Sequence, residues 1–364
     1  WDGSPICITD TGPSSTPPPL QYNFEWPEGC VPFYNVKELK KAHAKSFTEP
    51  GKAGRAYRLM YEELEQALRL PVGQEGLVDK RLSHDGVHWF LLPAFFFTLY
   101  ELHRTGRDFA LVVRTFGTDG PAVGEALNAW AEGLHPTVPG VPSLTIDPSR
   151  DLWQGQYDAS GAFTLQRAVL SKVVAAPPTS TTPGGRRDAR LRPEGVGDTS
   201  QKEETPDRSH RSPASKRRSA ANSLSEQAAL ALMEAKGEAE PHGIVCTDHY
   251  DWWKHHGYSP SAGKPLWLTI SDSKVHHIFF DDNIHNDAKD SIVAVRARGD
   301  PSESAFTPLS GEATCKLQGV LLVRTPTPQP VLDQRWFLNR IAACEAARRE
   351  RFHTPRMIRK LISF

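Results

Sequence analysis

Two adjacent carboxylates, Asp281 and Asp282, follow directly on the apolar run Ile278-Phe279-Phe280. A buried strand that stops there delivers two like charges to the carboxyl edge of a sheet, where open α/β folds bind their ligands. Neighbouring carboxylates repel, and each holds its proton more tightly unless a cation lies beside them. A hard divalent ion with oxygen ligands, Mg²⁺ above all, relieves that repulsion. Taken alone, the pair also fits a strand that merely ends in a solvated polar turn.

Two further segments carry candidate chemistry. Phe109-Ala110-Leu111-Val112-Val113 is an unbroken apolar run, as expected of a parallel strand covered on both faces. It continues through Arg114 to Thr115 and then to Phe116-Gly117-Thr118-Asp119, so a hydroxyl stands at the strand's carboxyl end. The third segment is Gly263-Lys264-Pro265, which reads as a turn ahead of the acidic pair. Histidines also gather at His255-His256, His276-His277 and His285, with Asp248 and Asp251 nearby. Adjacent histidines point their rings apart, whereas zinc sites use helix-face spacings, so no histidine metal site is expected.

The elements that must position these residues follow from periodicity. Trp89 to Arg104 is apolar-rich and closed by Gly106, a helix stop. Val123, Leu127 and Trp130 share one face of a helix over 120–132. Tyr57, Met60, Tyr61, Leu64 and Leu68 recur at spacings of three and four, giving another helix. Segments 143–146, 153–157 and 162–165, separated by Asp-Pro and Ser-Gly turns, predict an antiparallel excursion. Ser223-Leu224-Ser225-Glu226 opens a helix to about Lys236 as a capping box, and Asp248 is placed to cap the helix after it. Strands are expected at 109–115, 243–247, 276–281, 291–296 and 318–324, and a last helix at 333–350. Four of these strands (109–115, 243–247, 276–281 and 291–296) are expected parallel in one sheet. The Thr115 and Asp281 strands should flank one missing central position.

The order hydroxyl, lysine, acidic pair resembles that of the haloacid dehalogenase-like (HAD-like) superfamily. The similarity covers roughly residues 85 to 300 and is nearest to little-characterised eukaryotic members. It is carried by Arg114 to Asp119, by Asp248-His249-Tyr250-Asp251-Trp252-Trp253 and by Phe279 to Ile284. The resemblance implies an α/β fold with a three-layer, Rossmann-like, mostly parallel sheet. It implies Mg²⁺-dependent phosphate-ester hydrolysis, with Thr115 and Lys264 holding phosphoryl oxygens and Asp281 and Asp282 holding the metal. The four side chains should then converge on one pocket. The superfamily's nucleophile is an Asp on the first strand, which forms an aspartyl-phosphate and so splits one hard displacement into two easier ones. No apolar strand followed by Asp-x-Asp or Asp-x-Asn precedes residue 89. The nearest candidate, Asp10 after Ile6-Cys7-Ile8-Thr9, runs straight into a Pro-rich loop. Trp1 to Pro5 resembles the stretch just after the nucleophile motif in relatives, so strand one is expected upstream of Trp1. The expectation is therefore an inactive or truncated phosphohydrolase-fold protein. The alternative is a non-catalytic binding or scaffold protein on the same fold.

Composition bounds the partners. The 364 residues carry 43 basic and 43 acidic side chains, which predicts no attraction to nucleic acid or to an anionic membrane. A phosphorylated small molecule or protein remains the expected ligand. Five scattered cysteines without C-x-x-C spacing read as reduced thiols. With no long apolar run, the expectation is a cytoplasmic protein. The expected organisation is a Pro-rich arm over 1–32, a helical cap-like region over 33–84, and the first part of the core over 85–171. A disordered linker over 172–222, the second part of the core over 223–350 and a basic tail over 351–364 complete it.

Overall fold

The computed structural model describes residues 46–52, 55–168, 223–234, 241–271, 274–284 and 291–351. The N-terminal arm with Asp10, all of the 172–222 linker, His285 and the basic tail beyond Arg351 lie outside the described residues. The chain separates into two units, and the helices and strands that position the site all belong to the unit formed by residues 1–168 and 224–364.

The helices follow the apolar spacing. Helix α1 (Arg58–Leu68) forms where expected, yet none of its residues is buried, and Leu59 and Tyr61 are exposed. Helix α2 (Pro93–Arg104) starts at Pro93, whose missing N–H costs nothing in the first turn. It stops before Gly106, which takes the left-handed conformation at φ 67°. Helix α3 (Gly120–Ala131) buries Val123, Leu127 and Trp130 together, as their spacing requires. Burying a leucine of this kind contributes roughly 1.5–3 kcal/mol. Helix α4 (Glu226–Glu234) is preceded by Ser225, whose hydroxyl accepts from the Ala228 N–H at 3.4 Å. The short α5 (Tyr250–His255) and the long α6 (Trp336–Arg351) lie further along the chain.

The strands are β1 (Ala110–Thr115), β2 (Leu152–Tyr157), β3 (Phe163–Arg167), β4 (His242–Thr247) and β5 (Lys264–Thr269). They continue with β6 (Phe279–Asp281), β7 (Val293–Arg298), β8 (Thr307–Pro308) and β9 (Leu322–Arg324). Four of them run in the order β1-β4-β2-β3, with β1 and β2 parallel to β4 and with β2-β3 an antiparallel hairpin. Strands β5 and β7 pair in parallel, with β8 antiparallel at the far edge. Among the described residues strand β6 pairs only with β9, again in parallel. The fold is thus mixed α/β with mostly parallel strands and several helices.

Three expectations are corrected. The four apolar strands do not share one hydrogen-bonded sheet: the Thr115, Asp281 and Val293–Arg298 strands lie in three separate ladders. Apolar content marks these segments as strands but does not set which neighbour each pairs with, and both β1 and β6 line a cavity of about 950 Å³. Segment 143–146 is not a strand but begins in a 3₁₀ turn, Pro142–Leu144. The Asn128 side chain takes up both backbone groups of Ile146, at 2.6 and 2.9 Å, in place of a strand partner. The strand expected over 318–324 is confined to Leu322–Arg324. Among the described residues no helix is long and apolar enough to cross a membrane.

Candidate functional site

Lys264 is buried, at 5% exposure, and is the first residue of β5 rather than part of a turn. Its N–H donates to the Ile292 carbonyl at 2.7 Å, which locks that end of β5 against the entry to β7. Gly263 permits this approach, since a Cβ there would collide with the Ile292 carbonyl. Pro265 is tolerated because β5 pairs on one side only and needs no donor on the other. The ammonium of Lys264 then reaches across the ends of two other strands. It donates to Asp281 Oδ2 at 2.8 Å and to the Arg114 carbonyl at 3.2 Å, and lies 5.1 Å from the centroid of the Phe116 ring. Both partners of the Lys264–Asp281 pair are buried, with side-chain exposures of 6% and 8%.

The acidic pair splits into two environments. Asp281 Oδ1 accepts from the Asn283 N–H at 2.9 Å, so both of its oxygens have partners. Asp282 is more open, and its Oδ1 accepts from Asn283 Nδ2 at 3.0 Å. Partial burial, and then the neighbouring Asp281, raise the Asp282 carboxyl above the usual carboxylate range. Thr115 ends β1, as the sequence suggests. Its hydroxyl donates to Asp119 at 2.7 Å and accepts from the Gly117 N–H at 2.9 Å, closing the turn into α3. Thr115, Lys264, Asp281 and Asp282 all line the cavity of about 950 Å³. The Thr115 hydroxyl is hydrogen-bonded within its own turn, not to Lys264.

Arg114 and Asp248 form the part of the site that sequence reasoning missed. Arg114 looks like a charge leaving an apolar strand, but its side chain is 5% exposed and that of Asp248 is 2% exposed. Arg114 Nε donates to Asp248 Oδ2 at 2.8 Å and Nη1 to the Pro265 carbonyl at 2.9 Å; Nη2 meets Asp248 Oδ1. Burial alone would lower the Arg114 pKa, but Asp248 more than offsets it and the guanidinium is held charged. Asp248 therefore does not cap α5; His249 stands at that position and makes no side-chain cap. The available signal was position: Arg114 follows the apolar run Leu111-Val112-Val113, and Asp248 follows the apolar run that ends at Thr247.

The aromatic residues around α5 pack. Trp253 stacks on Phe116 with ring centroids 5.1 Å apart, and Trp252 on Tyr157 at 5.3 Å. The Tyr157 hydroxyl donates to the Gly263 carbonyl at 2.7 Å, so this cluster braces the residue before Lys264. His276 binds the Val320 carbonyl and His277 binds Glu234, both at 2.8 Å. Among the described residues no group of three or more His, Cys, Asp or Glu is arranged to hold a metal. Cys246 is buried and its thiol is pushed up to about 12, chiefly by that burial, which makes it a poor nucleophile.

Comparison with protein-family models, with curated proteins and with solved structures finds no match.

Proposed function

We propose that the cavity end at Thr115, Lys264, Asp281 and Asp282 is a phosphate-ester site of the HAD-like type, on a chain that binds its ligand without turning it over. The observation that carries this reading is the lysine bridge: Lys264 joins Asp281 to the carbonyl next to Thr115. A hydroxyl, a cation and an acidic pair from the ends of three strands thereby line one cavity. The same order supports the family resemblance and, with it, the three-layer Rossmann-like reading of the fold.

In this proposal Lys264 and Thr115 would hold phosphoryl oxygens through a positive charge and a hydroxyl donor. Asp281 and Asp282 would hold Mg²⁺, which supplies neutralising charge when bound. The donor set fits in type, since Mg²⁺ is commonly held by one or two carboxylates and keeps several waters. Asp281 already has partners on both oxygens, so Asp282 offers the freer ligand atoms and the affinity is expected to be weak. Among the described residues before residue 89 no strand ends in an aspartate that could serve as the nucleophile. Without one the two-step covalent path is closed. A non-catalytic binding or scaffold role on the same fold is the second reading, favoured by the Thr115 hydroxyl's engagement with Asp119.

Calorimetric titration of the full chain with inorganic phosphate, with and without Mg²⁺, tests the proposal. Mg²⁺-dependent binding should disappear in Lys264→Met and weaken in Asp282→Asn, with His277→Gln as an unaffected control. Binding that ignores both substitutions, or no binding at all, would remove the phosphate-site reading.

A further inference from the structure

The Lys264 ammonium adjoins a cluster of aromatic rings. Phe116 follows Thr115 directly in the chain, and its ring centroid lies 5.1 Å from Lys264 Nζ. Trp253 stacks on Phe116 at 5.1 Å, and Tyr250 meets the same ring edge-on at 5.7 Å. Tyr258 completes the cluster, edge-on to Trp253 at 4.9 Å. Phe116 and Trp253 are half-buried, whereas Tyr250 and Tyr258 are 41% and 44% exposed. The side chains of these two tyrosines hydrogen-bond to each other, which joins their rings into one surface. Trp252 belongs elsewhere: it stacks on Tyr157.

The backbone at Tyr258 suits glycine better than tyrosine. Its φ of 62° is the one positive value held by a residue other than glycine among the described residues. That left-handed conformation presses a Cβ against the following carbonyl, a cost glycine avoids. Gly257, just before it, takes φ 64° freely. The turn itself needs only the Tyr258 N–H, which donates to the Trp253 carbonyl at 2.9 Å and would do so from any residue but proline. What tyrosine adds over glycine is therefore the ring. Conformations of this kind persist where the surroundings hold them, and they cluster at ligand clamps.

The two ends of this arrangement differ in chemistry, and Phe116 alone joins them. At one end stand the cation, hydroxyl and acidic pair read above as a phosphate site. At the other, two exposed rings offer faces and edges, with their polar tips engaged with each other and little to match a sugar. Aromatic rings gain from offset or edge-to-face contact beyond the area they bury, so such a surface favours a ring over an aliphatic group of the same size. We propose that Tyr250 and Tyr258 set the specificity of the phosphate site, selecting monoesters whose phosphate is carried directly on an aromatic ring. The proposal rests on the phosphate-site reading. The phosphate lies at Lys264 and Thr115, and the ring passes Phe116 to rest on the tyrosines. Since one ring spans that gap, a phosphate joined directly to a ring is long enough. A free aryl phosphate and a phosphotyrosine side chain share this chemistry.

Calorimetric titration of the full chain in Mg²⁺ tests this with inorganic phosphate, phenyl phosphate and cyclohexyl phosphate, the last matching phenyl in size without an aromatic face. Phenyl phosphate should bind at least about fivefold more tightly than cyclohexyl phosphate, within the range of an aromatic pair. Tyr250→Leu and Tyr258→Gly should each remove most of that preference and leave inorganic phosphate binding unchanged. Glycine suits the backbone at 258, so the second variant keeps the fold while losing the ring. A phosphotyrosine peptide that binds more tightly than phenyl phosphate would place the ring on a polypeptide, and one that binds no better would place it on a small molecule. Inorganic phosphate binding with no preference between the two esters, or a preference that survives both substitutions, would overturn the aromatic surface and leave the phosphate site standing. Phenyl phosphate binding that ignores Lys264→Met would break the link between the ring and that site. No binding of phosphate or of either ester would remove both proposals.

Discussion

Arg114 and Asp248 lie 134 residues apart in sequence and meet as a buried ion pair, with Arg114 Nε donating to Asp248 Oδ2 at 2.8 Å. The pair joins the end of β1 to the residue after β4, and through the Pro265 carbonyl it also holds the start of β5. It thus positions the backbone to which Lys264 and Thr115 are attached. Removing one partner strands a buried charge, which costs about 3–5 kcal/mol, whereas removing both often costs little. Arg114→Met and Asp248→Leu should each be strongly destabilising, and the double substitution should recover most of the loss. Urea unfolding of the four proteins in a double-mutant cycle measures this, and additive losses would show that the pair is not coupled.

Acid should destabilise the protein before its carboxylates titrate. His135 stacks on Trp89 with ring centroids 4.3 Å apart, and its Nδ1 accepts from the Val138 N–H at 3.2 Å, so the ring is held neutral. Burial lowers the His135 pKa from 6.5 to about 4, and burial also lowers that of His276 to about 4. Both folded values lie below the unfolded one, so the unfolded chain binds more protons in this window. The stabilisation is fully present above pH 6.5 and is lost as the pH falls toward 4. Each histidine accounts for at most about 3 kcal/mol of that loss. His135→Phe should flatten the stability profile across this window, and an unchanged slope of unfolding midpoint against pH would refute the assignment.

How much of this was legible in the sequence depends on the residue. Val123, Leu127 and Trp130 announced their helix because the 3.6-residue period places them on one face, and burial follows from that alone. Thr115 at a strand end was equally legible, since an apolar run followed by Thr-Phe-Gly leaves little choice. Lys264 was not: Gly263-Lys264-Pro265 has the composition of a turn. Only the one-sided pairing of β5 lets a proline start a strand there. Asp248 was assigned to a local cap because sequence shows its neighbour α5 and hides Arg114. Ile146 looked like a strand residue because the Asn128 amide that takes its backbone groups lies 18 positions away. Continuity of the four apolar strands in one sheet was not something apolar content could decide, because it does not say which strand edges meet.

Asp282 should behave as a reluctant acid. Partial burial and the adjacent Asp281 raise its pKa above 3.8, so the folded state holds that proton more tightly than the unfolded chain. Ionising it costs stability, and the cost is absent at pH below 3.8 and complete above the raised folded value. Asp282→Asn should therefore stabilise the protein at neutral pH and lose that advantage in acid. Asp282 is exposed enough for solvent to screen most of the repulsion, so the gain is expected below about 1 kcal/mol. Thermal melts of both proteins at neutral and acid pH check the sign, and a gain in acid that vanishes at neutral pH would contradict it.

The full chain should show no phosphatase turnover above background on aryl phosphates, with or without Mg²⁺. Positioned charges and a hydroxyl can hold a phosphate, but a two-step displacement needs a carboxylate aimed at phosphorus. Lys264 and Asp281 neutralise one another at 2.8 Å, which leaves Asp281 poorly placed to serve as that base. Turnover that disappears in Asp10→Asn would make Asp10 the nucleophile and overturn this expectation. Turnover that survives Asp10→Asn but falls in Asp281→Asn would point instead to a water activated at the acidic pair. If the chain is inactive, joining an apolar strand ending in aspartate ahead of Trp1 separates the two remaining readings. Mg²⁺-dependent hydrolysis in that fusion would mean that the chemistry lacks only its nucleophile. An inactive fusion would mean that the fold serves for binding alone.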